Sequence, residues 1–307
     1  MTNQPYVVVL AGGDGNRLAS LTRALYGTDV PKQFAVLDGE HSLLQSTIER
    51  ALAITSEDRI LVVITAHQEG IARTQLASYP QVELVIQPRN LDTAPGMLLP
   101  VARILTRSRD GRVIFLPSDH YIANAAPIEK ALRTCASAAL ADRITLIGVT
   151  PTSPETDYGW IARGTEIGHT GASTVEAFRE KPSQDLAHQL RDHGALWNTF
   201  ISSASVKLLW SLAHEHLPRH AAVLERYAVA IGSLDEEDAL EAAYREMPPA
   251  NFSRDLLART SDLAVIPVTG TGWTDWGSPA RVFASLSGTP SHQRLLERLR
   301  GDLALAV

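Results

Sequence analysis

Cysteine is almost missing from this chain of 307 residues. Cys135 stands alone, so no internal disulfide framework can form, and neither a CxxC pair nor a Cys/His set at zinc spacing occurs. Such usage suits a reducing compartment. Long apolar runs are missing too: no stretch approaches the roughly 18 apolar residues of a membrane span. The N-terminal MTNQPYVVVLAGG has no basic leader and too short an apolar run for a signal peptide. A cytoplasmic location is expected. Positive charge is in deficit, with 28 Lys and Arg against 34 Asp and Glu for a net −6, which argues against a broad basic surface for nucleic acid. Neither nucleic acid nor membrane is an expected partner, and an anionic ligand has to be met by a few placed cations. Internal repeats, low-complexity tracts and obvious linkers are also lacking.

What is present is 45% hydrophobic and 20% charged residue content over a length that suits one large α/β domain or two smaller ones. Val7 to Leu10, Ile60 to Thr65, Val82 to Ile86, Val113 to Leu116 and Ile144 to Val149 read as buried strands. Between them, Leu43 to Ala53, Gln68 to Ala77, Thr93 to Thr106 and Pro127 to Leu140 carry helical spacing. This alternation predicts a parallel sheet with helices on both faces and ligands outside the carboxyl ends of its strands. AGGDGNR, QPRN and PSDH fall at such ends. After Thr150 shorter strands, DYGWIARG and TVEAFREKP, are expected, then helices over Pro182 to Arg191 and Ala204 to Tyr227 and a last strand, LAVIPV. LDEEDALEAAYREMP, from Leu234, reads as an acidic helix with a solvated face. The second half is expected to extend the sheet of the first.

The loop after the first strand admits several chemistries. A dinucleotide fingerprint counted from Gly13 finds Gly15 and then Leu18 where its third glycine belongs, and no Walker motif occurs. What remains is a glycine turn whose N–H groups can hold a phosphate or a base edge, with Arg17 just beyond, or else a tight turn with an exposed arginine. Lys32 in VPKQF follows a proline that fixes its direction, though a lone lysine is usually solvated. Asp119 in LPSDH sits where a hard cation bridging phosphates finds a carboxylate, or where a helix is capped. Asp275 in GWTDWG is a second candidate ligand, although Trp273 and Trp276 are equally suited to packing. Glu180 and Lys181 in REKP point to opposite faces of a strand unless the chain bends, which Pro182 can supply. Asn198 in WNTF is either a satisfied core amide or a hydroxyl binder.

In order, LAGGDGNRL, PKQF, QPRNLDTAP, LPSDHYI, PTSPETDYGWI, EKP, WNTF, FSRDLL and GWTDWG resemble the sugar-1-phosphate nucleotidyltransferases, and among them the mannose-1-phosphate guanylyltransferases, from about Val7 to Ala284. The resemblance implies a Rossmann-like (GT-A-like) α/β fold with a mixed, mainly parallel sheet and helices on both faces. It implies a catalytic domain over 1–285 and a short helical tail over 286–307, with no β-helix domain. Leu10, Ala11, Gly12, Gly13 and Gly15 are then expected to hold the nucleotide, with Gln87 at its base. Arg17 braces the triphosphate and Lys32 the reacting phosphates, while Asp119 and Asp275 hold Mg²⁺. Gly159, Glu180 and Asn198 bind the sugar and Lys181 its phosphate. The sequence departs from the familiar GxGTRLWPLSR pattern at Asn16, Ala19 and Ser20, lengthens the loop before Pro31 with YGTDV, and opens the RNTAP run to RNLDTAP.

The implied reaction is attack by a sugar 1-phosphate oxygen on the α-phosphorus of a nucleoside triphosphate, GTP for the guanylyl reading. Positioning and charge neutralisation dominate such chemistry, and no general base is required because the attacking phosphate is already ionised. His120 is expected to pack rather than react. Expected partners are the triphosphate and the sugar 1-phosphate, with a homodimer as the assembly under consideration. A non-catalytic nucleotide-sugar sensor, a nicotinamide oxidoreductase, and the same transfer with UTP or dTTP and glucose 1-phosphate are the competing readings.

Overall fold

The computed structural model describes residues 4–39, 41–135 and 140–305. Its strands are β1 (Tyr6–Leu10), β2 (Ile60–Thr65), β3 (Glu83–Gln87), β4 (Arg112–Pro117), β5 (Ile144–Val149), β6 (Gly159–Glu166), β7 (Ser173–Glu180), β8 (Leu196–Ser205) and β9 (Leu263–Val268). Among the described residues they form a single sheet in the order β3-β2-β1-β4-β8-β5-β9-β7-β6, with β6 also pairing β8. The helices are α1 (Ala19–Tyr26), α2 (Leu43–Leu52), α3 (Glu69–Gln75), α4 (Thr93–Arg107), α5 (Ala126–Thr134), α6 (Gln184–Asp192), α7 (Val206–His216), α8 (Pro218–Ala230), α9 (Glu236–Glu246), α10 (Phe252–Asp255), α11 (Pro279–Leu286) and α12 (Pro290–Leu305).

Strand β1 illustrates why the sheet has two covered faces. Its side chains alternate, so Val7 and Val9 enter one core with Leu44 and Ile48 of α2 and Ile128 of α5, while Tyr6 and Val8 enter another with Met97 and Leu98 of α4 and Leu209 of α7. Each such valine contributes about 1.5 to 3 kcal/mol by leaving water. A third core joins Leu18, Leu21 and Leu25 around α1 to Trp276, Val282 of α11 and Leu295 of α12.

The expectation of a mainly parallel sheet holds only for part of it. β1–β2, β2–β3, β1–β4 and β5–β9 are parallel; β4–β8, β5–β8, β6–β7, β6–β8 and β7–β9 are antiparallel. The cause is β8: the segment around WNTF is a long strand that runs antiparallel between β4 and β5. The helix expected over Ala204 to Tyr227 is broken, since Ala204 and Ser205 end β8 and Pro218 starts α8 afresh. The helix expected over Pro127 to Leu140 ends at Thr134, and residues 136–139 of that expectation lie outside the described residues.

Candidate active site

The glycine loop leaves β1 bent back over its own carbonyls. Gln33 Nε2 donates to the carbonyls of Ala11 (2.7 Å) and Gly13 (2.6 Å), and Gln68 Nε2 donates to Gly13 (2.9 Å). The Ala11 amide is itself bonded to the Val63 carbonyl at 2.8 Å, whereas among the described residues the amides of Gly12 and Gly13 have no protein acceptor. Gly15 has φ +65°, and a Cβ there would stand 2.5 Å from the Lys32 nitrogen, so only glycine lets the loop close on PKQF. Leu10, Ala11, Gly12, Gly13, Gly15, Gln33, Gln87 and Asp119 line one cleft of about 720 Å³, a volume that suits a nucleotide-sized ligand.

Next to that cleft two distant loops are clasped together. Tyr121 and Thr274 exchange backbone hydrogen bonds of 2.9 and 3.0 Å, and Tyr121 stacks on Trp276 at 4.4 Å. The clasp brings Asp119, after β4, beside Asp275. Lys32 is buried between them: its Nζ donates to the Asp275 carbonyl at 2.6 Å and pairs with Asp119 Oδ2 at 3.0 Å. A solvated lysine this is not, and Asp119 caps no helix, because α5 begins only at Ala126. Burial opposes ionisation of Asp119, but Lys32, His120 and Arg17 outweigh it and hold the carboxyl below its ordinary value.

Asp275 is more heavily bonded. Its Oδ1 accepts from Gly277 N (2.9 Å), Tyr158 Oη (3.0 Å) and Arg281 Nη1 (3.0 Å), and its Oδ2 accepts from Arg17 Nη1 (3.0 Å). Burial pushes its carboxyl up, and Arg17, His120, Lys32 and Arg281 together pull it below the usual range. Arg281 also reaches Glu155 (2.6 Å) and Asp157 (3.2 Å) and covers the Tyr158 ring at 4.8 Å, which ties the ETDYG loop to this carboxylate. Sequence reasoning missed Arg281 and Gln33. Glu155 and Asp157 carry negative charge with no cation nearby in the chain, and that imbalance was the available signal for Arg281. His120 packs edge-on against Trp273 at 5.2 Å, as expected of a packing residue, and burial lowers its pKa against the pull of Asp119.

The expected sugar residues also meet. Gly159 and Glu180 are partners across β6 and β7, and a Cβ on Gly159 would stand 2.8 Å from Glu180 Oε2 and 3.4 Å from Asn198 Cβ. A side chain there would fill the space the carboxylate and amide share. Burial raises the Glu180 pKa, with Lys181 opposing. Asn198 Oδ1 accepts from Phe200 N at 3.1 Å, which leaves its NH₂ group for a ligand, and Phe200 lines the cleft. The bend that Glu180 and Lys181 need in order to leave opposite faces of the strand, expected from Pro182, falls at Lys181 itself, at φ +45°. Tyr158, beside Gly159, connects this set to Asp275.

For a cation the described residues offer Asp119 and Asp275, and no group of three or more His, Cys, Asp or Glu converges. That donor set fits a hard ion that keeps phosphate and water oxygens as its remaining ligands. Asp275 Oδ1 is fully bonded, whereas among the described residues Oδ2 is held by Arg17 alone, whose side chain is 58% exposed.

A mixed sheet with a nucleotide-sized cleft and a set of cations beside two carboxylates defines a phosphate-handling enzyme. The nucleotidyl transferase family model matches residues 6–286, and the chain belongs to that family, among its sugar-1-phosphate nucleotidyltransferases. The chain is 31% identical over 291 residues to the alginate biosynthesis protein AlgA of Pseudomonas fluorescens, covering 90% of this chain and 57% of the relative. It is 29% identical over 284 residues to a mannose-1-phosphate guanylyltransferase of Salmonella montevideo, covering 88% and 58%. The chain thus spans somewhat over half the length of these curated relatives. A crystal structure described as a mannose-1-phosphate geranyltransferase from Thermus thermophilus superposes with a TM-score of 0.81 at 28% identity, over 94% of this chain and 80% of the other.

Proposed function

We propose that this chain transfers a nucleotidyl group from a nucleoside triphosphate to a sugar 1-phosphate, with GTP and mannose 1-phosphate as substrates and GDP-mannose and pyrophosphate as products. The observation that carries the proposal is the single bonded network of Arg17, Lys32, Asp119 and Asp275, lying between the nucleotide-sized cleft and the Gly159, Glu180 and Asn198 set. The mannose-1-phosphate names of the Salmonella relative and of the Thermus structure support the choice of sugar.

In this reading the glycine loop amides and Gln87 hold the triphosphate, and Glu180 and Asn198 hold sugar hydroxyls. Lys181, on its bend, meets the sugar phosphate. One oxygen of that phosphate bonds to the α-phosphorus as the bond from the α-phosphorus to the bridging oxygen of the β-phosphate breaks, and that electron pair leaves with pyrophosphate. No proton has to move. Lys32 is fixed where charge grows on the α-phosphoryl oxygens, and Arg17, exposed and attached only through Asp275, follows the departing pyrophosphate. A preorganised cation such as the buried Lys32 lowers the barrier because it needs no rearrangement during reaction. Asp119 and Asp275 would hold Mg²⁺, which neutralises phosphate charge when bound.

A pyrophosphate-release panel crossing GTP, UTP, dTTP and ATP with mannose 1-phosphate and glucose 1-phosphate tests the proposal. GTP with mannose 1-phosphate is expected to give the highest kcat/KM, excess EDTA to abolish it, and added Mg²⁺ to restore it. A higher value for UTP or dTTP with glucose 1-phosphate replaces the substrate assignment, and full activity in EDTA removes the metal.

A further inference from the structure

The Gln87 amide ends β3 buried and held at both ends. Its Nε2 donates to the Ile64 carbonyl at 3.5 Å, a group that only accepts, and its Oε1 accepts from the Tyr244 hydroxyl at 3.1 Å. Glycines flank it closely: a Cβ at Gly12 would stand 2.7 Å from Nε2, and one at Gly96 3.1 Å from Oε1. Gly12, Gln87 and Gly96 all line the cleft. Tyr244 comes from α9, the acidic helix whose charges are expected to form a solvated face. Its ring is fully buried, and burial raises its phenol pKa, so it stays a neutral O–H donor.

The chain beyond Tyr244 is tied along the opened RNLDTAP run. Arg89 donates to the Tyr244 carbonyl, Ala250 N to Leu91 O (3.1 Å), Ala94 N to Ala250 O (2.9 Å), Asn251 Nδ2 to Asp92 Oδ1 (3.2 Å) and Phe252 N to Thr93 Oγ1 (2.8 Å). Pro249, in the same segment, reaches the cleft wall. Leu91 and Asp92 are the residues that lengthen the run, and Asp92 sits at φ +70°, a conformation that its neighbours must hold in place.

We infer that the segment from Tyr244 to Phe252 is a specificity strap for the base end of the cleft, and that Tyr244 is a positioning residue that anchors the Gln87 amide, in the sense set by the Ile64 carbonyl, against the nucleotide base. This rests on reading the cleft as the triphosphate site. A primary amide turned end for end exchanges its donor for its acceptor, and a base with the opposite pattern then fits equally well. The Ile64 carbonyl, which cannot donate, opposes that turn, and the Tyr244 hydroxyl anchors the Oε1 end so that the amide keeps its place. Because Tyr244 acts through Gln87, it governs which triphosphate binds rather than the reaction at the α-phosphorus.

The test measures equilibrium binding and steady-state turnover of GTP, ATP, UTP and dTTP for the wild type, Tyr244→Phe, Gln87→Met and the double variant. Tyr227→Phe is the control: it loses a buried hydroxyl on α8 bonded to Arg103 and Glu236, away from the cleft. Tyr244→Phe is expected to lower discrimination between the preferred triphosphate and its rivals about tenfold, the value of one misplaced hydrogen bond, with the loss in affinity and KM rather than kcat. The double variant is expected to discriminate no worse than Gln87→Met, and Tyr227→Phe as well as the wild type. Should Tyr244→Phe not fold, Asn251→Ala loosens the strap at Asp92 and is expected to lower the same ratio. Unchanged discrimination in the strap variant measured, or losses that add in the double variant, overturns the inference. Equal wild-type affinity for all four triphosphates overturns it too and leaves the transfer reaction standing. Discriminating binding without turnover refutes the proposed reaction, while the strap is still judged from the binding ratios.

Discussion

Burying the ammonium of Lys32 to 1% exposure costs it its hydration, and a buried charge persists only when paired and hydrogen-bonded. Its partners are Asp119 and the carbonyl of Asp275, 243 residues away along the chain. Lys32→Met keeps most of the volume and removes the charge. Turnover is expected to fall about 100-fold or more, the usual loss for one preorganised donor. Steady-state kinetics beside a melting curve check it, and a folded variant with undiminished kcat removes Lys32 from the chemistry. Among the described residues, the non-glycine positions at positive φ are Asp92, Lys181, Phe200 and Trp276, and each adjoins the site or lines it. Backbone held in this way marks places where the surroundings dictate conformation. The motifs around these residues were legible in the sequence; their conformations were not, because positive φ is signalled by glycine and less strongly by asparagine or aspartate, and apart from Asp92 none of the four is of those types. The burial of Lys32 was equally hidden, since its partner lies at the far end of the chain.

At the scale of elements, Arg103 on α4 joins strand β3 to helices α8 and α9. It bonds Glu83 at 2.5 Å and also reaches Tyr227 and Glu236. Burial opposes ionisation of Glu83, yet Arg107 and Arg103 hold its pKa below the ordinary value. A carboxyl with a depressed folded pKa contributes stability that is complete above its unfolded pKa of about 4.3 and is lost as pH falls through the lower folded value. Glu83→Gln is therefore expected to lower the melting temperature by roughly 3 °C or more at pH 7. That gap should begin to narrow as pH falls below about 4.3 and close only below the depressed folded value, where the wild-type carboxyl is protonated too. Thermal melts across that range decide it, and a gap that persists at low pH contradicts the ion-pair account. Strands β1, β2, β4 and β5 could be read from the sequence because each carries a continuous apolar run buried on both faces, whereas β3, at the sheet edge, is half-buried and offers only LVI as its apolar run. Strand β8 could not, because LWNTFISSAS mixes hydroxyls and an amide among its buried positions and shows no simple alternation. The acidic run of α9 likewise hid Tyr244, which with Ala243 is buried on a helix dominated by charge.

At the scale of the whole molecule, one sheet positions everything: β1, β3 and β4 lead to the cleft, while β6, β7 and β8 carry the set expected to bind the sugar. The two ends are joined through Tyr158, Asp275 and Arg281. Helix α12 belongs to the same core as the Asp275 loop, for Leu295 is buried beside Trp276, α1 and α11. Leu295→Ala is expected to cost about 2 to 5 kcal/mol, seen as an earlier urea midpoint. An unchanged midpoint would mean that α12 does not support this core. The central claim is that a phosphate oxygen attacks the α-phosphorus of a triphosphate in the cleft. Reaction of GTP labelled with ³²P at the α-position with mannose 1-phosphate and Mg²⁺ tests it most directly. The account predicts that the label appears in a nucleotide sugar in equal amount to the pyrophosphate released, whereas label recovered as GDP or GMP without a nucleotide sugar would contradict it.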